Sequence, residues 1–297
     1  MPLGPAAWQR TADRIAGGLS WRNAGIDTAI YDIPGLTAAE RRMIRQTPAP
    51  EGAIVVAHPL GAEGPVSLAV RADFEALAAA PGAPITQVAI AGHGGSALGA
   101  AALARTVADA TGRPAGGIVA GFTGEDLFAE AMGGQVFFKA LGSAQNAAQL
   151  FRHRLGQMAL QAMRPGDRAS RLPAHALTRP AAATLIRLLG DPERRLDLAV
   201  AHGKGALGLS FALARLADRA ALARAEHMQI VTAGCVTAFP EGIRWATQFL
   251  GQFDALGTFN SETAVAHESV PGASHHLNTA MPLHMDLGRL LRRLLGT

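Results

Sequence analysis

Two short apolar segments in the C-terminal part of the chain each end in a glycine that is followed, three residues later, by a titratable side chain. The first segment leads to Gly251 and Asp254, and the second leads to Gly272 and His275. A buried carboxylate orients an imidazole and stabilises its protonated form, while the imidazole carries a proton to and from a nucleophile. The two residue types in this order therefore indicate the acid and the base of nucleophilic catalysis.

A sharp turn earlier in the chain is the candidate for presenting a nucleophile to this pair. An apolar run leads into Ala201-His202-Gly203-Lys204-Gly205, and an unbroken helix-forming segment follows. Small residues on both sides permit a tight strand-to-helix turn, and the amide of Lys204 at the helix N-terminus is a donor for a developing oxyanion. The central position, where the attacking atom would stand, is Gly203. An ordinary glycine-rich turn of a parallel α/β protein is the alternative interpretation.

The turn, the acid and the base resemble, in chain order, the nucleophile elbow, acid and histidine of the α/β-hydrolase superfamily, in its lipase and esterase-like branch. The resemblance covers roughly residues 87–295 and depends on three short motifs. It implies a carboxylic-ester hydrolase scaffold with Gly203 in place of the nucleophile, Asp254 as the acid and His275 as the base. No acyl-enzyme forms at a glycine, so the resemblance implies an inactive or variant hydrolase. Non-catalytic binding of an acyl or apolar ligand, or a protein-interaction scaffold, is the alternative.

A glycine-rich loop, Gly92-His93-Gly94-Gly95-Ser96, resembles the oxyanion loop that follows the third strand of esterases. The resemblance implies Gly94 and Gly95 as backbone donors, because glycines let amides face an oxyanion without obstruction. Residues 56–61 are a second candidate for this loop.

Ser96 has two interpretations of its own. It is an alternative nucleophile, although Leu98 fills the position where a sharp turn needs a small residue. It is also a good N-cap for the helix that follows.

The acid and the base have alternatives as well. Asp254 fits a capping aspartate, and Glu262 is an alternative acid. His276 is an alternative to the histidine before it, and His267 is a weaker one. These choices stay open at the level of sequence.

No cofactor and no metal are expected. The chain has one cysteine, and no two of its ten histidines are spaced i, i+4 on a helix with a glutamate beside them. The Walker A pattern is absent. The variant dinucleotide pattern that starts at Gly92 lacks an acidic residue at a predicted strand end about 20 positions further on.

Composition favours a soluble, cytoplasmic protein, and the resemblance implies a small-molecule acyl or ester ligand. The net charge of +4 comes almost entirely from arginine, without a dense basic cluster, so no nucleic-acid partner is expected. No signal peptide and no membrane span are predicted. Assembly into a homo-oligomer stays open.

The elements that must position these residues form an α/β fold. Strands alternating with helices predict a mostly parallel eight-stranded sheet with helices on both faces, in a single domain over residues 1–297 with a helical cap or lid at 125–190. Thr37 and Glu40 have the spacing of a capping box. Helices are predicted at 68–80, 97–110 and 283–295. The predicted strands are 27–33, 53–57, 87–91, 117–121, the run before the sharp turn, 228–232, 247–251 and 267–270.

Overall fold

The structure, a computed structural model, describes residues 25–62, 67–92, 95–121, 179–216, 223, 225–262 and 264–297. These residues contain one eight-stranded sheet with the strand order β2-β1-β4-β3-β5-β6-β7-β8. β1 runs antiparallel to both of its neighbours, and every other pair is parallel. The strands are β1 (Ile54–Ala57), β2 (Leu68–Arg71), β3 (Gln87–Ile90), β4 (Ala115–Ile118), β5 (Leu198–His202), β6 (Gln229–Ala233), β7 (Ala246–Gly251) and β8 (Glu268–Val270).

Helices cover both faces of this sheet. Residues 25–30 belong to a first helix, α1. The others are α2 (Ala38–Gln46), α3 (Phe74–Ala78), α4 (Ala97–Thr111), α5 (Arg179–Gly190), α6 (Lys204–Ala214), α7 (Ala255–Phe259) and α8 (Leu287–Leu295). Consecutive strand residues belong to opposite core layers: Val88 and Ile90 of β3 pack on one face, and Ala89 packs on the other. Burial on both faces explains why these strands are continuously apolar.

The mixed, mostly parallel α/β sheet of eight strands is therefore confirmed, but one of the predicted strands is wrong. Residues 27–33 are not a strand, because 25–30 are helical and Ile33–Gly35 form a 3-10 turn. The predicted helix at 68–80 instead begins as strand β2, and helix α3 starts only after Asp73, whose side chain accepts from the amide of Ala76. The terminal helix begins at Leu287, capped by Asp286, and not at residue 283.

The capping box at α2 is confirmed, and it also anchors the fold. The Thr37 side chain accepts from the Glu40 amide, and the Glu40 carboxylate accepts from the Thr37 amide. Glu40 is fully buried and pairs with the guanidinium of Arg105 on α4. The box therefore starts α2 and fixes it to α4.

The direction of β1 decides where the loops at its ends lie. Because β1 is antiparallel to β4, the loop after it emerges at the edge opposite to the carboxyl ends of the parallel strands. Accordingly, the amide of Leu60 donates to Asp109 near the C-terminus of α4. Residues 56–61 are therefore not an oxyanion loop beside the sharp turn.

The predicted cap at 125–190 falls mostly on residues 122–178, outside the described residues. Its last part is α5, which packs against α6 on one face of the sheet. Within the described residues, no helix has the length and apolar character needed to cross a membrane.

Candidate active site

Asp254 and His275 lie side by side at the carboxyl edge of the parallel strands. His275 Nδ1 is 2.9 Å from Oδ1 and 2.9 Å from Oδ2 of Asp254. The Asp254 side chain is fully buried, and that of His275 is 9% exposed. Because carboxylate oxygens accept, Nδ1–H of His275 donates, and the lone pair of the neutral ring is on Nε2. This geometry is the one that general-base chemistry needs from a carboxylate and an imidazole.

Helix α7 holds the carboxylate from its other side. Asp254 is the N-cap of this helix and accepts from the amide of Gly257 at 2.5 Å. Asp254 therefore also caps a helix, as the alternative interpretation predicted. One carboxylate makes both contacts, which fixes its orientation relative to His275.

Gly234, the residue that follows β6, packs directly against the Asp254–His275 pair. A Cβ on Gly234 would lie 3.0 Å from Nδ1 of His275 and 3.2 Å from Oδ2 of Asp254. Gly234 also has a φ of +69°, which disfavours any L side chain. Nothing in the sequence distinguished this glycine from the other glycines that follow strands.

The sharp turn lies between β5 and α6, with Gly203 at its centre. Gly203 has φ 55° and ψ −131° and is the N-cap of α6, without a side-chain cap. Its amide donates to the carbonyl of Ala233, the residue before Gly234, at 2.9 Å. A Cβ on Gly205 would come within 2.3 Å of the Ile90 carbonyl, so the start of α6 packs directly against β3. Small residues are therefore required here, as the spacing predicted.

His202, the residue before this turn, links it to His275. Its Nε2 lies 2.8 Å from the carbonyl of His275, and the two ring centroids are 4.8 Å apart. Complete burial, and secondarily the charge of His275, hold the pKa of His202 well below its usual range. His202 is therefore neutral, with Nε2–H donating to that carbonyl and Nδ1 left as an acceptor. Gly203, Asp254 and His275 are thus brought together at one strand edge.

The loop after β3 approaches the same turn. A Cβ on Gly92 would lie 2.5 Å from the amide nitrogen of Lys204, the first residue of α6. Gly95 has a φ of +63° and its carbonyl accepts from the Gly121 amide at 3.1 Å. Gly94, the other predicted donor, and His93 lie outside the described residues.

Ser96 is the N-cap of α4. Its hydroxyl accepts from the amide of Gly99 at 3.3 Å, and its own amide donates to Asp27 at 2.8 Å. The side chain is therefore engaged in capping at the start of the helix.

The remaining sequence candidates have other contacts. Glu262 faces Thr237, whose hydroxyl is 3.4 Å away, while Asp254 occupies the position beside His275. His276 Nε2 donates to the Pro282 carbonyl at 3.0 Å, and burial lowers the pKa of that ring. His267 is exposed. No cluster of three metal-ligating side chains occurs in the part of the chain that the structure describes.

Sequence reasoning missed Asp27 and Tyr31, both of which reach the site. Asp27 is buried, and desolvation raises its pKa to about 7 against the hydrogen bonds from Ser96 and Gly99 that lower it. The Tyr31 hydroxyl accepts from the amide of Gly92 at 2.9 Å. The two residues are four apart, a spacing that places them on one helix face. This spacing was not recognised as helical because residues 27–33 resembled a strand.

Comparison with known proteins adds no relative, since no family model, no curated protein and no solved structure matches this chain.

Proposed function

We propose that this chain is an α/β-hydrolase-like protein related to carboxylic-ester hydrolases, in which Gly203 stands where the nucleophile is expected. The observation that carries the proposal is the position of the Asp254–His275 pair beside the sharp turn after β5. The backbone of Gly203, with φ 55° and ψ −131°, supports it further, because a strained strand-to-helix turn is how such folds present a nucleophile.

The missing side chain limits the chemistry. A glycine supplies no hydroxyl or thiol, so no acyl-enzyme forms at this position. Loss of the nucleophile from a catalytic triad lowers kcat by roughly 10⁶-fold. The remaining groups are His275, whose Nε2 is a base for a water molecule, and the amide of Lys204. A hydrolase reduced to such groups retains a rate enhancement of roughly 10³- to 10⁴-fold over the uncatalysed reaction. The proposal is therefore an inactive or variant hydrolase.

The buried pair itself supports descent from an enzyme more than a structural role. A carboxylate that loses contact with water is costly unless it is paired, and a well-packed apolar pair of similar volume is often as stable. A structural role alone therefore gives little reason for an aspartate and a histidine at this edge of the sheet.

Apolar side chains around α7 favour an acyl ligand. Phe253 is 58% exposed and Phe259 is 52% exposed, and both lie within five residues of Asp254. These same residues support the second candidate, non-catalytic binding of an acyl or apolar ligand, because such binding needs apolar surface but no nucleophile. Stabilisation of the chain against heat by fatty acids, without any ester hydrolysis, would favour that candidate.

Restoring the missing oxygen tests the proposal. Gly203→Ser should hydrolyse short and medium acyl p-nitrophenyl esters or acyl thioesters, and Gly203→Ala, which differs only by the oxygen, should not. Adding His275→Ala to the serine variant should abolish that activity. Serine-dependent hydrolysis that survives the loss of His275 would contradict the assigned base. A serine variant that folds and hydrolyses none of these substrates would contradict the proposed function.

A further inference from the structure

Residues 27–32, called here the brace, comprise the end of α1 and the two residues after it. This segment contacts two loops that border the candidate site, one after β3 and one after β8. A helix end leaves carbonyl groups without intrahelical partners, and they must be satisfied from elsewhere. The loop that carries His275 supplies two of those partners.

The first side of the brace holds the loop after β3 at both of its ends. The Tyr31 hydroxyl accepts from the amide of Gly92 at 2.9 Å, where the strand ends. The Asp27 carboxylate accepts from the amide of Ser96 at 2.8 Å, where α4 begins. Both side chains are buried. This loop contains the glycines that the sequence resemblance implies as oxyanion donors.

The second side of the brace holds the loop that follows His275. The amide of Leu277 donates to the carbonyl of Ile30 at 2.7 Å. The side-chain amide of Asn278 donates to the carbonyl of Thr28 at 2.8 Å. These two hydrogen bonds satisfy carbonyls at the end of α1 and fix the backbone directly after the base.

Tyr31 and His202 connect the two sides. Since Nε2–H of His202 donates to the His275 carbonyl, the other ring nitrogen is an acceptor, and the Tyr31 hydroxyl lies 3.4 Å from it. The tyrosine therefore accepts from the end of β3 and donates to the ring that holds the backbone of the base. The hydrogen-bonded series runs from Gly92 through Tyr31 and His202 to His275.

We propose that the brace fixes the oxyanion loop and the base relative to each other, with Tyr31 and His202 as positioning residues for His275. The catalytic meaning of this inference rests on the proposed function. The geometric part does not, because it concerns the orientation of His275 in the chain as it exists. The brace thus gives the segment before the sheet a role in the site.

Histidine spectra of the chain that retains Gly203, and of single variants of that chain, test the geometric part. Nuclear magnetic resonance of nitrogen-labelled histidine, with His275 assigned by His275→Gln, records the pH midpoint of its ring and the signal of its Nδ1–H. Tyr31→Phe removes only the hydroxyl and should shift both. Thr106→Val removes a hydroxyl that bonds within α4 to Ala102 and should leave both unchanged. His275 signals in Tyr31→Phe that equal those of the parent would overturn the inference.

Two His202 variants supply the same test if Tyr31→Phe does not fold. The amide nitrogen of Gln lies near the position of Nε2, so His202→Gln should keep the hydrogen bond to the His275 carbonyl and lose only the acceptor for the Tyr31 hydroxyl. The amide of Asn reaches only to the position of Nδ1, so His202→Asn should lose the hydrogen bond to the carbonyl and should shift the His275 signals further than His202→Gln does. Identical His275 signals in the two variants would overturn the inference.

Activity separates this inference from the proposed function. In the Gly203→Ser background, Tyr31→Phe should lower kcat about two- to tenfold, the effect of one lost hydrogen bond, with KM within about twofold. Ester hydrolysis together with unshifted His275 signals would overturn the brace alone. Shifted signals without any hydrolysis by Gly203→Ser would support the brace and contradict the proposed function.

Discussion

Replacing Asp254 by alanine distinguishes an acid that orients His275 from a residue that only caps a helix. Asp254 accepts from the imidazole of His275 at 2.9 Å and from the amide of Gly257 at 2.5 Å. A buried hydrogen bond to a charged group contributes about 1.5–3 kcal/mol. An N-cap contributes about 1 kcal/mol. Asp254→Ala should therefore lower the free energy of unfolding by about 2.5–4 kcal/mol.

The chain contains a matched control for the cap. Asp286 caps α8 by accepting from the amide of Arg289 at 2.9 Å. Within the described part of the chain, no histidine forms a hydrogen bond with Asp286. Asp286→Ala should lower the free energy of unfolding by only about 1 kcal/mol. Asp254→Asn retains an acceptor for the Gly257 amide and should fall between the two alanine variants.

Urea unfolding at pH 7 measures all three variants, with midpoint shifts compared at an unchanged m value. The reasoning requires Asp254→Ala to be clearly more destabilising than Asp286→Ala. Equal losses would mean that Asp254 is a helix cap and that its contact with His275 stabilises nothing. That outcome would remove the main support for the proposed function.

Three further predictions concern other parts of the molecule. Gly203→Ala and Gly203→Ser should each lower the free energy of unfolding by about 1–3 kcal/mol, because L residues are strained at φ 55°; a stable alanine variant in urea unfolding would contradict this. Burial raises the pKa of Asp27 to about 7 from its ordinary value of 3.8, so the folded chain binds the extra proton between these values. The free energy of unfolding should then fall by on the order of 4 kcal/mol as the pH rises from about 4 to 7, and Asp27→Asn should flatten that slope in urea titrations at each pH. Equal slopes in the two proteins would refute this. Arg105→Met leaves the buried Glu40 carboxylate unpaired and should cost about 3–5 kcal/mol by the same measurement, with partial recovery when Glu40→Gln is added. No recovery would argue against the pair.

Local chemistry explains which parts of the fold were predictable. The capping box at Thr37 and Glu40 is a contact between residues three apart, so its pattern is complete in the sequence. The strand before Gly203 and the helix after it are long apolar and helix-forming runs joined by small residues. Both elements occur where the pattern indicated. Such signals do not depend on which distant segment packs against them.

The first predicted strand failed because its pattern was ambiguous. Residues 27–33 are rich in the β-branched and aromatic side chains of strands and end before Pro34-Gly35, yet Asp27 and Tyr31 also have the four-residue spacing of one helix face. The choice depends on partners about 60 to 70 residues away, namely the amides of Gly92 and Ser96. Similarly, β2 forms because β1 pairs with it, although its residues also suit a helix.

By itself, the sequence determined the α/β class, seven of the eight strands, the sharp turn at Gly203 and the chain order of Asp254 and His275. These features depend on hydrophobic pattern, small residues and short spacings. Only the tertiary structure decided that Asp254 and His275 share hydrogen bonds, that Gly234 abuts them, and that residues 27–32 join the two loops of the site. Those contacts link segments between about 20 and 250 residues apart, and no local pattern specifies which strand ends meet at one edge of a sheet.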